Sequence, residues 1–367
     1  MRVVFRVDAS LEMGSGHLMR CLTLAAALRE KGAECLFICR EHLGHMADFV
    51  EQKGFEVRLL PQPEADWQGD HAEGDLQHAA WLGVDWQQDA EQSRVALNGL
   101  RVDWLVVDHY ALDVRWESAL RGRCKRIMVI DDLADRRHEC DLLLDQTLGR
   151  LAQVYRGLVA EKCTLLTGSK YALLRPEFAQ LREASLKRRA APQLKRLLIS
   201  LGGVDQHNAT GQILTALKTA SLPQGCQLTV VMGGQAPWLS AVQKQAEQVP
   251  WPITVRVNVD NMAQLMAESD LAIGAAGSSS WERCCLGLPT LMVVLAENQI
   301  YAAKQLQAAG GGQLLFLDDH LAPQLEYWLM CFNNNLTQLS EISQQAAVIS
   351  EGSGVERVMD VLLREIV

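Results

Sequence analysis

The chain has 367 residues, room for two domains of ordinary size, and its 49% hydrophobic and 22% charged content is that of a globular protein. A formal net charge of −9 speaks against a sequence-independent grip on nucleic acid or on an anionic membrane. No run approaches the ~18 apolar residues of a membrane span, and no basic-plus-apolar leader precedes the first strand, so a cytoplasmic location with ten free thiols is expected.

The first predicted strand, Arg2–Val7, runs into Met13-Gly14-Ser15-Gly16-His17-Leu18-Met19-Arg20. A helix over 17–30 follows, with Leu18, Cys21, Leu22, Ala25 and Leu28 at helical spacing. A Gly-rich turn between a strand and a helix N-terminus points backbone N–H groups outward, with the positive end of the helix dipole behind them. Such a turn suits an anion or a sugar oxygen. His17 in this position is either a polar cap or a titrating group acting on a bound ligand.

Strand Glu34–Cys39 comes next. Cys35, Cys39, His42 and His45 lie close together in sequence, but the two cysteines sit in a buried-looking strand without a Cys-x-x-Cys, so no metal is assigned to them. Strands Glu56–Leu60, Trp104–Asp108, Arg126–Ile130 and Asp141–Leu144 continue the first half, with helices around 44–53, 88–99 and 113–121. The polar stretch Pro61–Asp75 reads as a long surface loop. Asp131 and Asp132 are neighbours at a strand end and so aim in different directions, which argues against a two-carboxylate glycosidase.

Lys and Arg cluster over Glu183–Gln193, a composition break that separates a predicted domain 1–185 from a second at 194–367. The second opens with strand Arg196–Leu201, the turn Gly202-Gly203-Val204-Asp205-Gln206-His207-Asn208 and a helix over Ala209–Ala220. Strands Gln227–Met232, Ile253–Val257, Leu271–Gly274 and Thr290–Val294 follow, and a terminal helix near 355–366 packs on either domain. Short apolar strands alternating with helices predict two doubly wound parallel-sheet α/β domains. Their ligands are expected at the carboxyl ends of the strands, in an interdomain cleft.

Gly202 and Gly203 form a second anion-friendly turn, suited to a diphosphate, and Asn208 is either a ligand contact or a helix cap. Gly277 lets backbone approach a ligand beside Ser278. Glu282 is either the capping-box partner of Ser279 or a carboxylate for two ribose hydroxyls. Asn298 and Gln299 offer amides to sugar hydroxyls, or are plain loop polarity.

Several of these segments carry a resemblance that spans the chain. They are Arg6-x-Asp8-x-Ser10-x3-Gly14-x-Gly16-His17-x2-Arg20, Val107-Asp108-His109-Tyr110, Ile130-Asp131-Asp132-Leu133 and Tyr171-Ala-Leu-Leu-Arg175-Pro-Glu-Phe178. In the second half they are Gly202-Gly203-x-Asp205-x2-Asn208 and Ala276-Gly277-Ser278-x2-Trp281-Glu282-Arg283-Cys284. Together they resemble the UDP-sugar hydrolases of pseudaminic acid biosynthesis, which act on UDP-2,4-diacetamido-2,4,6-trideoxy-β-L-altropyranose. The resemblance implies a two-domain GT-B glycosyltransferase fold and hydrolysis to free sugar and UDP, by inverting water attack at the anomeric carbon, with no metal or other cofactor. It implies His17 as general base, Tyr110 in the sugar site, and Asn208 and Glu282 on the UDP part. Asp8, Gly14, Gly16, Gly202, Gly203, Gly277, Ser278, Asn298 and Gln299 complete the expected substrate contacts. The UDP-sugar is the one partner inferred, with no obligate protein partner, nucleic acid or membrane. The stretch between Gly69 and Asn98 is longer than in that family. The rival readings are a GT-B glycosyltransferase with a non-water acceptor and a non-catalytic sugar-nucleotide-binding protein.

Overall fold

A computed structural model describes residues 1–63, 67 and 76–364. Most of the loop expected over Pro61–Asp75 therefore lies outside the described residues, as does the start of the long stretch after Gly69. The chain divides into two compact units, one formed by Met1–Leu173 with the segment from Gly354 onward, the other by Leu174–Ser353.

The first unit contains β1 (Arg2–Val7), β2 (Glu34–Arg40), β3 (Glu56–Leu60), β4 (Val102–Asp108), β5 (Cys124–Ile130), β6 (Leu142–Asp145) and β7 (Thr164–Thr167). All pair in parallel in the order β3-β2-β1-β4-β5-β6-β7. Side chains alternate across a strand, so one apolar run feeds two cores. Val3, Phe5, Val7, Trp104 and Val106 pack on one face with Leu18, Cys21, Leu22, Ala25 and Leu28 of the helix Gly16–Glu30. Val4, Leu105 and Val107 pack on the other with Trp116 and Leu120. Fully burying each such side chain is worth roughly 1.5–3 kcal/mol. The terminal helix Gly354–Arg364 adds Val355, Val358 and Leu362 to the first of these cores.

In the second unit β8 (Arg196–Ser200), β9 (Gln227–Met232), β10 (Ile253–Val257), β11 (Leu271–Ala275), β12 (Thr290–Val293) and β13 (Gln313–Leu315) form a parallel sheet ordered β10-β9-β8-β11-β12-β13. Leu197, Ile199, Leu228, Val230 and Ile273 pack against Ile213, Leu214 and Leu217 of the helix Ala209–Leu217 and against Leu325, Leu329 and Phe332 of the helix Leu321–Asn334. Strand order reverses between β1 and β4 in one unit and between β8 and β11 in the other. At such a reversal the flanking turns splay apart and leave a crevice at the strand ends.

The expected domain boundary near residue 185 is corrected by the helix Pro176–Arg189, which belongs to the second unit. Its basic run is not a linker. Arg182 donates to the carbonyls of Cys285, Ala347 and Ser350, and Arg189 to those of Leu286, Ser269 and Met266. These guanidinium groups satisfy carbonyls at helix C-termini and elsewhere, which fixes the helix to its own unit.

Candidate active site

The turn after β1 is shaped by Gly14, whose φ of +73° is a conformation that L side chains rarely adopt. Ser10 Oγ accepts from the amides of Glu12 and Met13. The helix starts at Gly16, and Ser15 before it makes no side-chain cap bond. His17 thus stands in the first turn of a helix whose amides are not covered by a side chain. Its Nδ1 lies 2.6 Å from Asp108 Oδ1 at the end of β4, across the switch point.

Asp108 is fully buried, and Arg20 closes its carboxylate from the other side, Nε to Oδ2 at 2.6 Å and Nη2 to Oδ1 at 2.7 Å. Burial alone raises a carboxyl pKa, but the guanidinium of Arg20 and the imidazole of His17 reverse that and hold Asp108 well below the usual carboxylate range. An ionised carboxylate only accepts, so it selects the His17 tautomer with hydrogen on Nδ1 and leaves Nε2 as the proton acceptor. Arg20 also bridges to Asp132 at 2.6 Å, and Asp132 accepts from the Tyr110 hydroxyl at 3.0 Å. The Tyr110 ring meets His17 edge-on with centroids 4.6 Å apart. Asp131 points elsewhere, to Arg136 and Tyr155, and the two adjacent carboxylates therefore serve separate networks.

Asp8 is a correction to the sequence reading. It is 1% exposed; its Oδ1 accepts from Arg6 Nη1 and from the Arg40 amide, both at 2.6 Å. Oδ2 faces His42 and His109 at 3.5 and 3.3 Å. Arg6 and Arg40 are shared with buried Asp89, which also takes the Trp116 indole N–H. A buried charge needs this much compensation, and Asp8 spends it joining β1 to β2 rather than meeting a ligand. Tyr110 is 5% exposed, with its ring against that of His17.

In the second unit Gly202 has a φ of +94° and lies in the exposed turn after β8. Here the amides of the helix N-terminus beyond that turn are held by side chains. Asp205 accepts from Ala209 and Thr210 at 2.8 Å, and Asn208 Oδ1 from Gly211 at 3.2 Å. Asn208 is the cap of the helix Ala209–Leu217, and Gly203 binds the Gly233 amide through its carbonyl.

The loops after β11 and β12 meet, since a Cβ on Gly277 would stand 3.5 Å from Gln299 Nε2. Gln299 Oε1 accepts from Leu295, and Asn298 sits in the same single turn, Glu297–Gln299. The capping-box alternative for Glu282 fails. Ser278 is the cap residue and makes no side-chain bond, while the Ser279 hydroxyl accepts from Arg283. Burial pushes the Glu282 carboxyl up to about 7 against the pull of Arg175, 3.8 Å away. Among the described residues no group of three His, Cys, Asp or Glu side chains is placed to hold a metal ion, and no helix is long and apolar enough to cross a membrane.

Asp108 and Arg20 were inside a recognised motif but carried no assigned role. The signal was available: β4 ends in Asp108 and the polar turn after β1 leads to Arg20, on either side of the switch point.

Residues 201–358 match the glycosyltransferase family 28 C-terminal domain. Over its whole length the chain is similar to the crystal structure of Acinetobacter baumannii MurG, with a TM-score of 0.69, 17% identity and 99% of each chain covered. A UDP-2,4-diacetamido-2,4,6-trideoxy-β-L-altropyranose hydrolase from Campylobacter jejuni is 26% identical over 84% of this chain and 97% of its own. An uncharacterised protein from Methanocaldococcus jannaschii is 24% identical over 82% of this chain, which spans 56% of that relative's length. With two parallel-sheet α/β units and these neighbours, the fold is GT-B, as the sequence led one to expect.

Proposed function

We propose that this chain is a nucleotide-sugar hydrolase that splits a UDP-linked 2,4-diacetamido-2,4,6-trideoxyhexose into free sugar and UDP. The carrying observation is the His17–Asp108 contact of 2.6 Å, with Arg20 behind it, at a strand switch point. Similarity to the Campylobacter hydrolase over nearly its whole length supports the same reading. His17 Nε2 takes a proton from water, and the water oxygen forms a bond to the anomeric carbon as the carbon–oxygen bond to UDP breaks. The electron pair of that bond goes to the diphosphate, the anomeric centre inverts, and His17 returns its proton to solvent. Asp108 stabilises the imidazolium formed on the way. The second unit holds the UDP part, with Glu282 on the ribose hydroxyls and Gly277, Ser278, Asn298 and Gln299 around it. Gly202, Gly203 and Asn208 lie at the neighbouring β8 turn.

A second reading, transfer of the sugar to an acceptor other than water, is favoured by the match to a glycosyltransferase domain. Incubation of the UDP-sugar with protein and no acceptor separates the two. Stoichiometric UDP release with one inverted product anomer by NMR is the expected result. No release without an added acceptor would turn the reading to transfer, and binding without turnover in either case would overturn both. Activity should survive exhaustive EDTA treatment; loss restored by Mg²⁺ would place a cation on the leaving diphosphate.

A further inference from the structure

The rings around His17 include two that no motif singled out. Trp81 stacks on Tyr110 with centroids 5.8 Å apart and planes at 25°. His78 lies against both, 4.5 Å from Trp81 and 5.3 Å from Tyr110. Tyr110 is buried, whereas Trp81 and His78 are only half-buried, so a ligand beside His17 meets the indole and the imidazole before it meets the phenol. The polar handles of Trp81 and Tyr110 are already engaged: the indole N–H donates to Glu12 at 3.0 Å and the Tyr110 hydroxyl to Asp132. Burial lowers the His78 pKa, with Arg136 and His17 adding to it and Asp135 working against it. What Trp81 presents to a ligand is therefore its π surface.

We propose that Trp81, with His78 beside it, is the platform that receives the C–H face and methyl groups of the sugar and selects a methyl-bearing deoxy sugar over its hydroxylated counterpart. This rests on the reading that a UDP-sugar is bound beside His17. A ring face is electron-rich and attracts polarised C–H groups. A hydroxyl set against it gives up its water without a replacement partner, and such a pocket discriminates by roughly 10–100-fold. The platform also bears on rate, because a sugar held flat on Trp81 is held at a fixed distance from the Tyr110–His17 pair behind it.

The test compares kcat/KM for UDP-2,4-diacetamido-2,4,6-trideoxyhexose and the same sugar bearing a 6-hydroxyl. Wild type should favour the deoxy sugar by about 10–100-fold, and Trp81→Ala should bring the ratio to within about threefold, chiefly by losing the deoxy substrate. In parallel, saturation-transfer NMR on the His17→Ala protein, which preserves the substrate, should carry magnetisation from aromatic protons to the 6-methyl group. Adding Trp81→Ala should abolish that transfer while the uracil signals persist. A wild-type ratio and an intact methyl signal in Trp81→Ala would overturn the platform. If wild-type protein hydrolyses neither sugar, the hydrolase reading fails, and the methyl signal alone decides the platform. Should Trp81→Ala not fold, Trp81→Leu, apolar but without a π face, takes its place: the aromatic-to-methyl transfer should be lost while part of the penalty on the hydroxyl stays.

Discussion

The two units begin in the same way, with a strand, a Gly-rich turn and a helix, yet the two turns are finished differently. After β1 the helix N-terminus carries no side-chain cap, and a His held by a buried carboxylate stands in its first turn. After β8 the corresponding amides are filled by Asp205 and Asn208, both in the left-handed region that Asp and Asn tolerate. One helix N-terminus is left open, without a side-chain cap; the other is capped by its own turn. A Gly-x-Gly or Gly-Gly signal therefore marks where a strand turns into a helix, and the polar residues next to it decide whether the exposed amides remain available.

The largest effects should come from the open turn. His17→Ala should lower kcat by ~10²–10⁴-fold, the usual contribution of a general base, with UDP affinity nearly unchanged. Near-wild-type turnover would remove His17 from the chemistry. Asp108→Asn should cost a similar factor by disturbing the tautomer and leaving the imidazolium without its counter-charge. Because Arg20 loses an ionic partner as well, its melting temperature should be read alongside. A variant that loses stability but retains kcat at a temperature where it is folded would make Asp108 structural only.

Glu282 tests the second unit. If it accepts from both ribose hydroxyls, Glu282→Ala should cost ~2–3 kcal/mol of UDP affinity. A carboxyl raised from 4.5 to about 7 binds its proton more tightly in the folded state than in the unfolded one. Stability therefore falls as pH climbs through that window, and the loss is complete above about 7. Glu282→Gln should accordingly melt higher than wild type at pH 8 and about the same at pH 4.5. Uridine, which has no titrating phosphate, should bind wild type more weakly as the pH drops below 7 and bind Glu282→Ala without that dependence. A flat uridine profile in wild type would take Glu282 off the ribose.

Much of the architecture was legible because parallel strands buried on both faces read as short apolar runs, and eleven of the thirteen strands among the described residues were anticipated. The two that were not, β7 and β13, span Thr164–Thr167 and Gln313–Leu315, and each offers only two consecutive apolar residues, against three in β6 and in β12. The basic run at 183–193 misled because composition does not distinguish a solvated Arg from one whose guanidinium caps buried carbonyls, as Arg189 does. For Asp8, a motif position signalled importance but not direction: whether a carboxylate at a strand end faces a ligand or two buried arginines depends on β2 and on Asp89, both distant in sequence. Trp81 escaped notice for a related reason, since its place beside Tyr110 is a tertiary fact with no local pattern behind it.

The smallest expected effect closes the comparison of the two turns. If the β8 turn is self-satisfied, Asp205→Ala removes two charge-assisted N–H bonds and puts Ala where φ is +45°. Stability should fall by about 1–2 kcal/mol, from the lost cap and the left-handed backbone together. Asn208→Ala loses one cap bond and also puts Ala where φ is +52°, and should likewise cost about 1–2 kcal/mol. UDP affinity of Asp205→Ala should stay within about threefold, because its carboxylate is buried under the helix and offers the nucleotide nothing but a repelling charge. Calorimetry with UDP beside a thermal melt reads both quantities on one sample. A lowered melting temperature with unchanged affinity leaves Asp205 as a cap. Unchanged stability with a tenfold loss of affinity would instead mean that the turn rearranges to bind the diphosphate, and that the difference between the two turns belongs only to the ligand-free state.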